Sequence, residues 1–195
     1  AVTGTDSNTG ITFPSADTIK FSTGGVERIS ITNSGITGIT SGLTEADLFR
    51  LTADVTVSGD TDLSSNWERP DTSNDGFGKL GTGMSFSGAT WTFPSTGIYR
   101  VGFNLMIYAN GSNGTTQAQI LATEDNSTYG LQSSQHNSVT NGEFGSVYCQ
   151  ALIDVTNTSN VKVKFRVTSS QSNQLVGSNS GVSLTYVSFI RLGDT

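Results

Sequence analysis

The stretch from Ala89 to Ala109, ATWTFPSTGIYRVGFNLMIYA, constrains the fold of this chain more than any other. In its first part Trp91 and Phe93 alternate with threonines, which is the two-residue period of a strand with one buried face. Pro94 and Gly97 then supply a turn signal. The run that follows alternates again, and its apolar set is Tyr99, Val101, Phe103, Leu105 and Ile107. The stretch predicts two strands joined by a turn, with this apolar set as a central row of the core.

Composition extends this prediction to the whole chain. Only 13% of the 195 residues are charged, and Gly, Ser, Thr and Asn are abundant, so the outer faces should be neutral and rich in hydroxyl groups. The β-branched and aromatic residues recur too regularly for a disordered linker. We therefore expect an all-β protein with one sizeable core and an appendage.

Charge and cysteine content exclude several classes of protein. A formal charge of −6 argues against nucleic-acid binding, and we interpret the basic row Lys162, Lys164 and Arg166 as the solvated face of one strand. Cys149 is the only cysteine and falls on an apolar, alternating face, so it should be a core residue. No apolar run approaches the length of a membrane span, and we expect no membrane insertion.

Residues 1–42 differ from the rest of the chain. Short apolar pairs such as Ile11 with Phe13 and Ile19 with Phe21 are separated by turn signals, and they cannot close a core alone. Isolated hairpins are marginal in water, so identical copies wound around a common axis would stabilise this segment best. The alternative is a flexible linker. The division predicted is a β-rich stalk over 1–42 and a head over 43–195.

Within the head, the sequence predicts one helical turn at 43–49, because Thr44 and Asp47 approximate a capping box. Alternation over 51–57 predicts the first strand. Residues 58–83 are expected to be irregular, and the polar run 130–143 is expected to be the longest surface loop.

The final strand is apolar on both faces, with Tyr186 and Ile190 on one side and Val187 and Phe189 on the other. In a monomer one of these faces would meet water. We therefore predict a homotrimer, with Tyr186, Val187 and Phe189 as candidates for the trimer interface.

Several phrases of the sequence resemble known families. Over residues 49–195, the segment from Phe93 to Tyr99, strands around Asp154 and Val161, and the closing strand resemble the complement globular-head and tumour-necrosis-factor jelly rolls. The phrases LTADVTVSGDTDLSSNWERPDT, DGFGKLGTGM, WTFPSTGIY, DVTNTSNVKVKFRV and FIRLGDT resemble virion fibre proteins of marine cyanobacterial phages. The N-terminal segment resembles phage tail-fibre stalk repeats. The resemblance implies a virion protein: a trimeric stalk with an antiparallel jelly-roll sandwich as its knob, joined to other tail or virion proteins through its N-terminal side.

Support for catalysis is weak in this sequence, and we predict no enzyme, no cofactor and no metal. His136 is the only histidine, and its neighbours are polar. An acidic cluster leaves a glycan depolymerase as the less favoured alternative; its members are Asp60, Asp62, Glu68, Asp71 and Asp75. Part of it, beginning at Asp71, is similar to a calcium loop but has Thr82 where the bidentate glutamate is needed.

The favoured function is attachment to a glycan or protein of the host cell surface. Loops at 109–115 and 130–143 would present tyrosine and amide side chains, which offer stacking area and hydrogen bonds at modest entropic cost. The receptor-binding candidates are Tyr108, Tyr129, Gln132, Gln135, His136 and Asn137. A virion component without a receptor is the alternative.

Overall fold

A computed structural model of the chain describes residues 8–38, 42–70 and 78–195, apart from the side chains of residues 172–175. The chain divides into two compact units, Ala1–Gly42 and Leu43–Thr195, called here the N-terminal unit and the head. The described residues contain no helix. All described strand pairs are antiparallel, so the all-β prediction is confirmed.

The N-terminal unit is a four-stranded sheet in the order β1-β2-β3-β4. Its strands are β1 (Gly10–Thr12), β2 (Ile19–Thr23), β3 (Val26–Thr32) and β4 (Gly35–Thr37), with turns where the sequence predicted them. Residues that face each other across neighbouring strands point to the same side of a sheet. The register therefore gathers the apolar residues on one side as an N-terminal band: Ile11, Ile19, Phe21, Ile29, Ile31 and Ile36. None of these side chains is buried.

The head is a jelly-roll sandwich of two layers. Layer one has the order β14-β11-β16-β5 and layer two the order β13-β12-β15-β6. The bounds of these strands are β5 (Ala46–Leu51), β6 (Val55–Asp62), β11 (Gly97–Tyr108), β12 (Gly114–Thr123), β13 (Gly130–Val139), β14 (Phe144–Val155), β15 (Lys162–Val176) and β16 (Tyr186–Gly193). Short strands flank them: β7 (Trp67–Glu68), β8 (Lys79–Leu80), β9 (Ser85–Ser87) and β10 (Thr90–Thr92).

The strand registers define two ends of the head. At the proximal end β5 begins at Ala46, β11 begins at Gly97 and β16 ends at Gly193. At the distal end β11 finishes and β12 starts, and Tyr108 lies opposite both Phe144 and Leu175. Thus the chain enters the head at the end opposite the loop between β11 and β12.

The core lies between the two layers and is centred on Trp91, which is completely buried. The rings of Phe86, Phe49 and Phe189 lie 4.6, 4.8 and 5.4 Å from the Trp91 ring, mostly edge to face or tilted. Such aromatic pairs add to the stabilisation from burial alone. The row predicted on β11 is confirmed, since these five side chains are all buried: Tyr99, Val101, Phe103, Leu105 and Ile107.

The two strands predicted around Pro94 do form, but they are not a hairpin. Strand β10 pairs with β9 and β15, whereas β11 pairs with β14 and β16, so the chain crosses from layer two to layer one between them. Gly97 permits this crossing because its φ is +136°, and a Cβ atom there would lie 2.5 Å from the carbonyl oxygen of Gly193.

Four local predictions for the head were wrong. The segment 58–83 is not irregular throughout, because β6 continues to Asp62 and the segment also contains β7 and β8. The helical turn at 43–49 is instead the start of β5, because Asp47 turns inward as a partner of Arg69 and does not cap a helix. The strand predicted over 51–57 is divided by a turn between β5 and β6. Residues 130–139 form the edge strand β13, which pairs with β12 along its whole length.

Candidate functional site

The six receptor-binding candidates do not come together in the structure. Tyr108 lies at the distal end, half-buried, with its ring centroid 4.9 Å from that of Phe144. Tyr129 lies near the proximal end beneath Lys164, whose Nζ is 4.3 Å from the centre of the tyrosine ring. Gln132 is also near that end and donates a hydrogen bond to the carbonyl of Gly130.

The other three candidates follow one another along β13, so neighbours point to opposite sides of the strand. Gln135 and His136 are exposed, while Asn137 is half-buried and its Nδ2 donates to the carbonyl of Ser146 at 3.1 Å. The prediction that these side chains sit on a long loop was therefore wrong. Polar side chains on both faces concealed an edge strand that has little apolar surface to bury.

The two predicted loop segments nevertheless meet at the distal end. A distal pocket of about 380 Å³ is lined only by neutral residues: Asn113, Gly114, Thr115, Ser138, Val139, Thr140 and Ser170. Ser138 Oγ lies 3.1 Å from Thr115 Oγ1, and Ser170 Oγ accepts a hydrogen bond from the Thr115 amide. This pocket can offer hydroxyl and amide groups, but no charge, to a ligand.

Hydrogen bonds also hold the distal loops 109–113 and 140–143 to each other. The amide of Asn141 donates to Asn113 Oδ1 at 2.7 Å, and the amide of Gly111 donates to Asn141 Oδ1 at 2.8 Å. The amide of Gly142 donates to the carbonyl of Ala109. Sequence reasoning found the segments but missed these asparagines, for which the three Asn-Gly pairs were an available signal.

Two of the three trimer-interface candidates require a correction. Val187 and Phe189 are 0% and 1% exposed within the single chain, because their side of β16 faces the core of the head. They have no surface left for a neighbouring subunit. Tyr186 is half-buried and points outward, together with Ile190.

The outward side of layer one carries the apolar surface that the final strand suggested. We call it the apolar face, and its residues are Ala46, Leu48, Leu80, Met106, Tyr148, Tyr186 and Ile190. A groove of about 520 Å³ follows β5 and β16 across it. Tyr148 lies flat against the sheet because its neighbour is Gly102, where a Cβ atom would come 2.6 Å from the tyrosine oxygen. Leu80 remains 47% exposed and Tyr148 41% exposed.

The outward side of layer two is polar, and its charges are paired. Arg166 Nε donates to Asp62 Oδ1 at 2.6 Å, and the same guanidinium contacts Asp60. Lys164 lies 3.6 Å from Asp62, while Lys162 is buried and donates to the carbonyl of Thr158. The basic row therefore does not form an open anion site.

The described carboxylates of the acidic cluster are also held in ion pairs. Asp60 and Asp62 pair with Arg166, and Glu68 pairs with Arg50 at 2.8 Å. Asp71 and Asp75, with the calcium-like loop that they begin, lie outside the described residues. Among the described residues, no group of three or more histidine, cysteine, aspartate and glutamate side chains could hold a metal ion.

Other candidates for chemistry are equally constrained. Burial raises the pKa of the Cys149 thiol to about 12, against a weaker opposite effect of Ser133, so the thiol stays protonated at neutral pH. His136 is exposed on β13. In the described part of the chain, we find no helix long and apolar enough to cross a membrane.

Comparisons with known proteins identify the fold. Murine APRIL at pH 5.0 superposes with a TM-score of 0.55 at 15% identity, covering 76% of this chain and 98% of that one. Eiger TNF from S. frugiperda superposes with a TM-score of 0.51 at 14% identity, covering 77% and 93%. No protein-family model matches the chain, and no curated protein matches it in sequence. The head thus has the jelly-roll fold of tumour-necrosis-factor-like proteins.

Proposed function

We propose that this chain is a virion fibre or spike protein, which assembles as a homotrimer and attaches the particle to a host cell surface without catalysis. The virion part of the proposal is supported by the phrases that resemble cyanobacterial phage fibres. The jelly-roll head supports a binding or structural role. The observation that carries the proposal is the apolar face, on which Leu80 and Tyr148 remain 47% and 41% exposed within the head.

Identical copies are the partners that fit the apolar face best. The face combines aliphatic side chains with tyrosines, whose hydroxyl groups tolerate the polar parts of an interface. The N-terminal band is a second apolar sheet surface of the same chain. One threefold assembly would cover both surfaces, because every copy supplies the same pair of surfaces to its neighbours.

The distal loops would then be the part of the head presented to the cell. They lie at the end opposite Leu43, and hydrogen bonds between them fix their shape before a receptor arrives. Preorganised loops lose less conformational entropy on binding than mobile ones. Three weak sites in one trimer would gain further through effective concentration. The N-terminal side remains for attachment to other tail or virion proteins.

A structural virion part without a receptor is the second candidate. The asparagine groups of the distal loops already bond to backbone amides, which is what loops that only cap strands would do. A depolymerase is less favoured, because the described carboxylates of the acidic cluster are in ion pairs.

Adsorption of the full chain to host cells tests the proposal. In the test variant, residues 110–113 and 140–143 are replaced by Gly-Ser sequences of equal length; in the control, residues 157–160 at the proximal end are replaced. Light scattering should show that both variants remain trimers, and only the test variant should lose adsorption. Unchanged adsorption of the test variant would contradict the attachment site, and a wild-type chain that stays monomeric would contradict the trimer.

A further inference from the structure

A second cavity opens at the proximal end of the head and has no role in the proposal above. It lies between the turn that joins β12 to β13 and the end of β14, and its volume is about 770 Å³. Small-molecule pockets typically measure about 300 to 1,000 Å³. The cavity opens on the flank of the sandwich, because β13 and β14 are the edge strands of their layers. The distal loops do not contribute to its wall, whereas Leu152 and Asp154 lie on the outward side of layer one, on the same side of β14 as Tyr148.

Two carboxylates in the cavity wall are free to bind a ligand. Glu124 and Asp154 are exposed, and neither side chain has a hydrogen bond or ion pair with any residue that the structure describes. They come from different strand ends, one following β12 and one near the end of β14. A ligand between them would therefore meet hydrogen-bond acceptors from two walls.

The third carboxylate has a different role. Asp125 accepts hydrogen bonds from the amides of Thr128 and Ser127 and from the hydroxyl of Thr123, and these bonds hold its pKa well below the usual range. All three bonds go to Oδ1, so this oxygen is committed to the turn. Asp125 shapes the cavity rim, while Glu124 remains available beside it.

Apolar groups complete the cavity. Leu152 is 66% exposed at the rim, and Ile153, Val161 and Ala122 lie behind it. A large exposed apolar side chain next to unpaired carboxylates suits a ligand that has both C–H surface and hydrogen-bond donors. No lysine or arginine lines the cavity. An anionic ligand would be repelled, because nothing in the wall offsets the carboxylate charges.

We propose that this cavity binds a sugar ring without an anionic group. Hydroxyl or ammonium groups of the sugar donate to Glu124 and Asp154, and the C–H face of the ring rests on Leu152. Hydrogen bonds to charged acceptors are stronger than those between neutral groups, and they set the orientation of the ring. This inference does not depend on the distal loops or on attachment.

Titration of the full, isotope-labelled chain followed by NMR tests the inference. Glucose, galactose, mannose and glucosamine are the probes, and glucuronate is the anionic comparison. At millimolar concentration at least one probe should shift the amide signals of Thr128, Gln132 and Leu152. Glucuronate should bind at least about tenfold more weakly than that probe. The inference fails if no probe shifts these signals, or if glucuronate binds equally well.

Variants then separate this site from a general effect of charge. The double substitution Glu124→Gln with Asp154→Asn should weaken binding about tenfold or more, since it removes both charged acceptors. Leu152→Ser should weaken it through the apolar contact alone. Asp194→Asn removes one charge from the same end of the head outside the cavity, and binding should be unchanged. Equal binding by the wild type and the double variant would overturn the assignment, and so would sugar hydrolysis that only the wild type performs.

Discussion

Two neighbouring residues on β16 provide a sharp test of the trimer. Phe189 faces the core of the head and is 1% exposed, whereas Ile190 faces outward on the apolar face. Substitution of either residue by aspartate adds the same charge at almost the same position along the chain. We expect Phe189→Asp to prevent folding of the head and Ile190→Asp to prevent only assembly.

The magnitudes follow from the surroundings of each side chain. The Phe189 ring lies 5.4 Å from that of Trp91 and 5.8 Å from that of Phe165. Loss of such a buried ring costs about 3 to 5 kcal/mol. The unpaired carboxylate adds several kcal/mol, so the total is comparable with the whole stability of a domain, about 5 to 15 kcal/mol.

Ile190→Asp leaves the monomer almost unaffected, with a change of about 1 kcal/mol or less. In a trimer the same carboxylate would be desolvated in every subunit. That costs about 3 kcal/mol or more per subunit, which is roughly a hundredfold in the association constant each time.

The assay is light scattering for mass, combined with urea unfolding monitored by circular dichroism. Gln119→Asp is the matched control, because it adds the same charge to the polar outward side of layer two and should leave a folded trimer. A trimeric Ile190→Asp variant would refute the position of the interface. An Ile190→Asp variant that is as unfolded as Phe189→Asp would show that the faces of β16 are assigned wrongly.

Three further predictions concern the head alone. Phe103→Ala should lower the free energy of unfolding by about 3 to 5 kcal/mol, whereas Asn104→Ala should lower it by only about 1 kcal/mol, through loss of the hydrogen bond to the carbonyl of Leu184. Urea titration measures both changes, and equal losses would contradict the assignment of Phe103 to the buried face of β11 and Asn104 to the outward face. Iodoacetamide at pH 8 should modify Cys149 far more slowly in the folded chain than in urea, as measured by mass spectrometry. Equal rates would contradict the burial of the thiol. Because folding lowers the pKa of Asp125, the ionised carboxylate contributes its full stabilisation above a pH of about 4, and this contribution declines as the pH falls. Acidification should therefore lower the free energy of unfolding more for the wild type than for Asp125→Asn, and parallel plots of that free energy against pH would exclude this contribution.

The sequence predicted best the elements whose side chains differ strongly between two faces. On β11 large apolar residues alternate with polar ones, so its buried row was identified correctly. On β13 both faces are polar, and the strand exists because its backbone pairs with β12, which leaves no periodic signal. For β16 the pattern showed two apolar faces, but only the fold reveals that Val187 belongs to the core.

The sites follow the same rule. The distal loops 109–113 and 140–143 lie within polar segments that were predicted to be at the surface, whereas Ser138 and Ser170 of the distal pocket belong to strands that the sequence did not assign to it. Glu124 and Asp154 were missed, since they are far apart in sequence and meet only through the strand order of the two layers. A single sequence without motif spacing contains no signal for such a pair.

The position of β16 in layer one also determines when the head can fold during synthesis. This strand lies between β5, which begins the head, and β11, so it joins parts of the chain that are made far earlier. Until β16 has left the ribosome, no strand connects β5 to β11, and the core around Trp91 lacks Phe189. Folding of the head therefore cannot be completed before residues 186–193 have been synthesised, although every other strand of the head is made earlier.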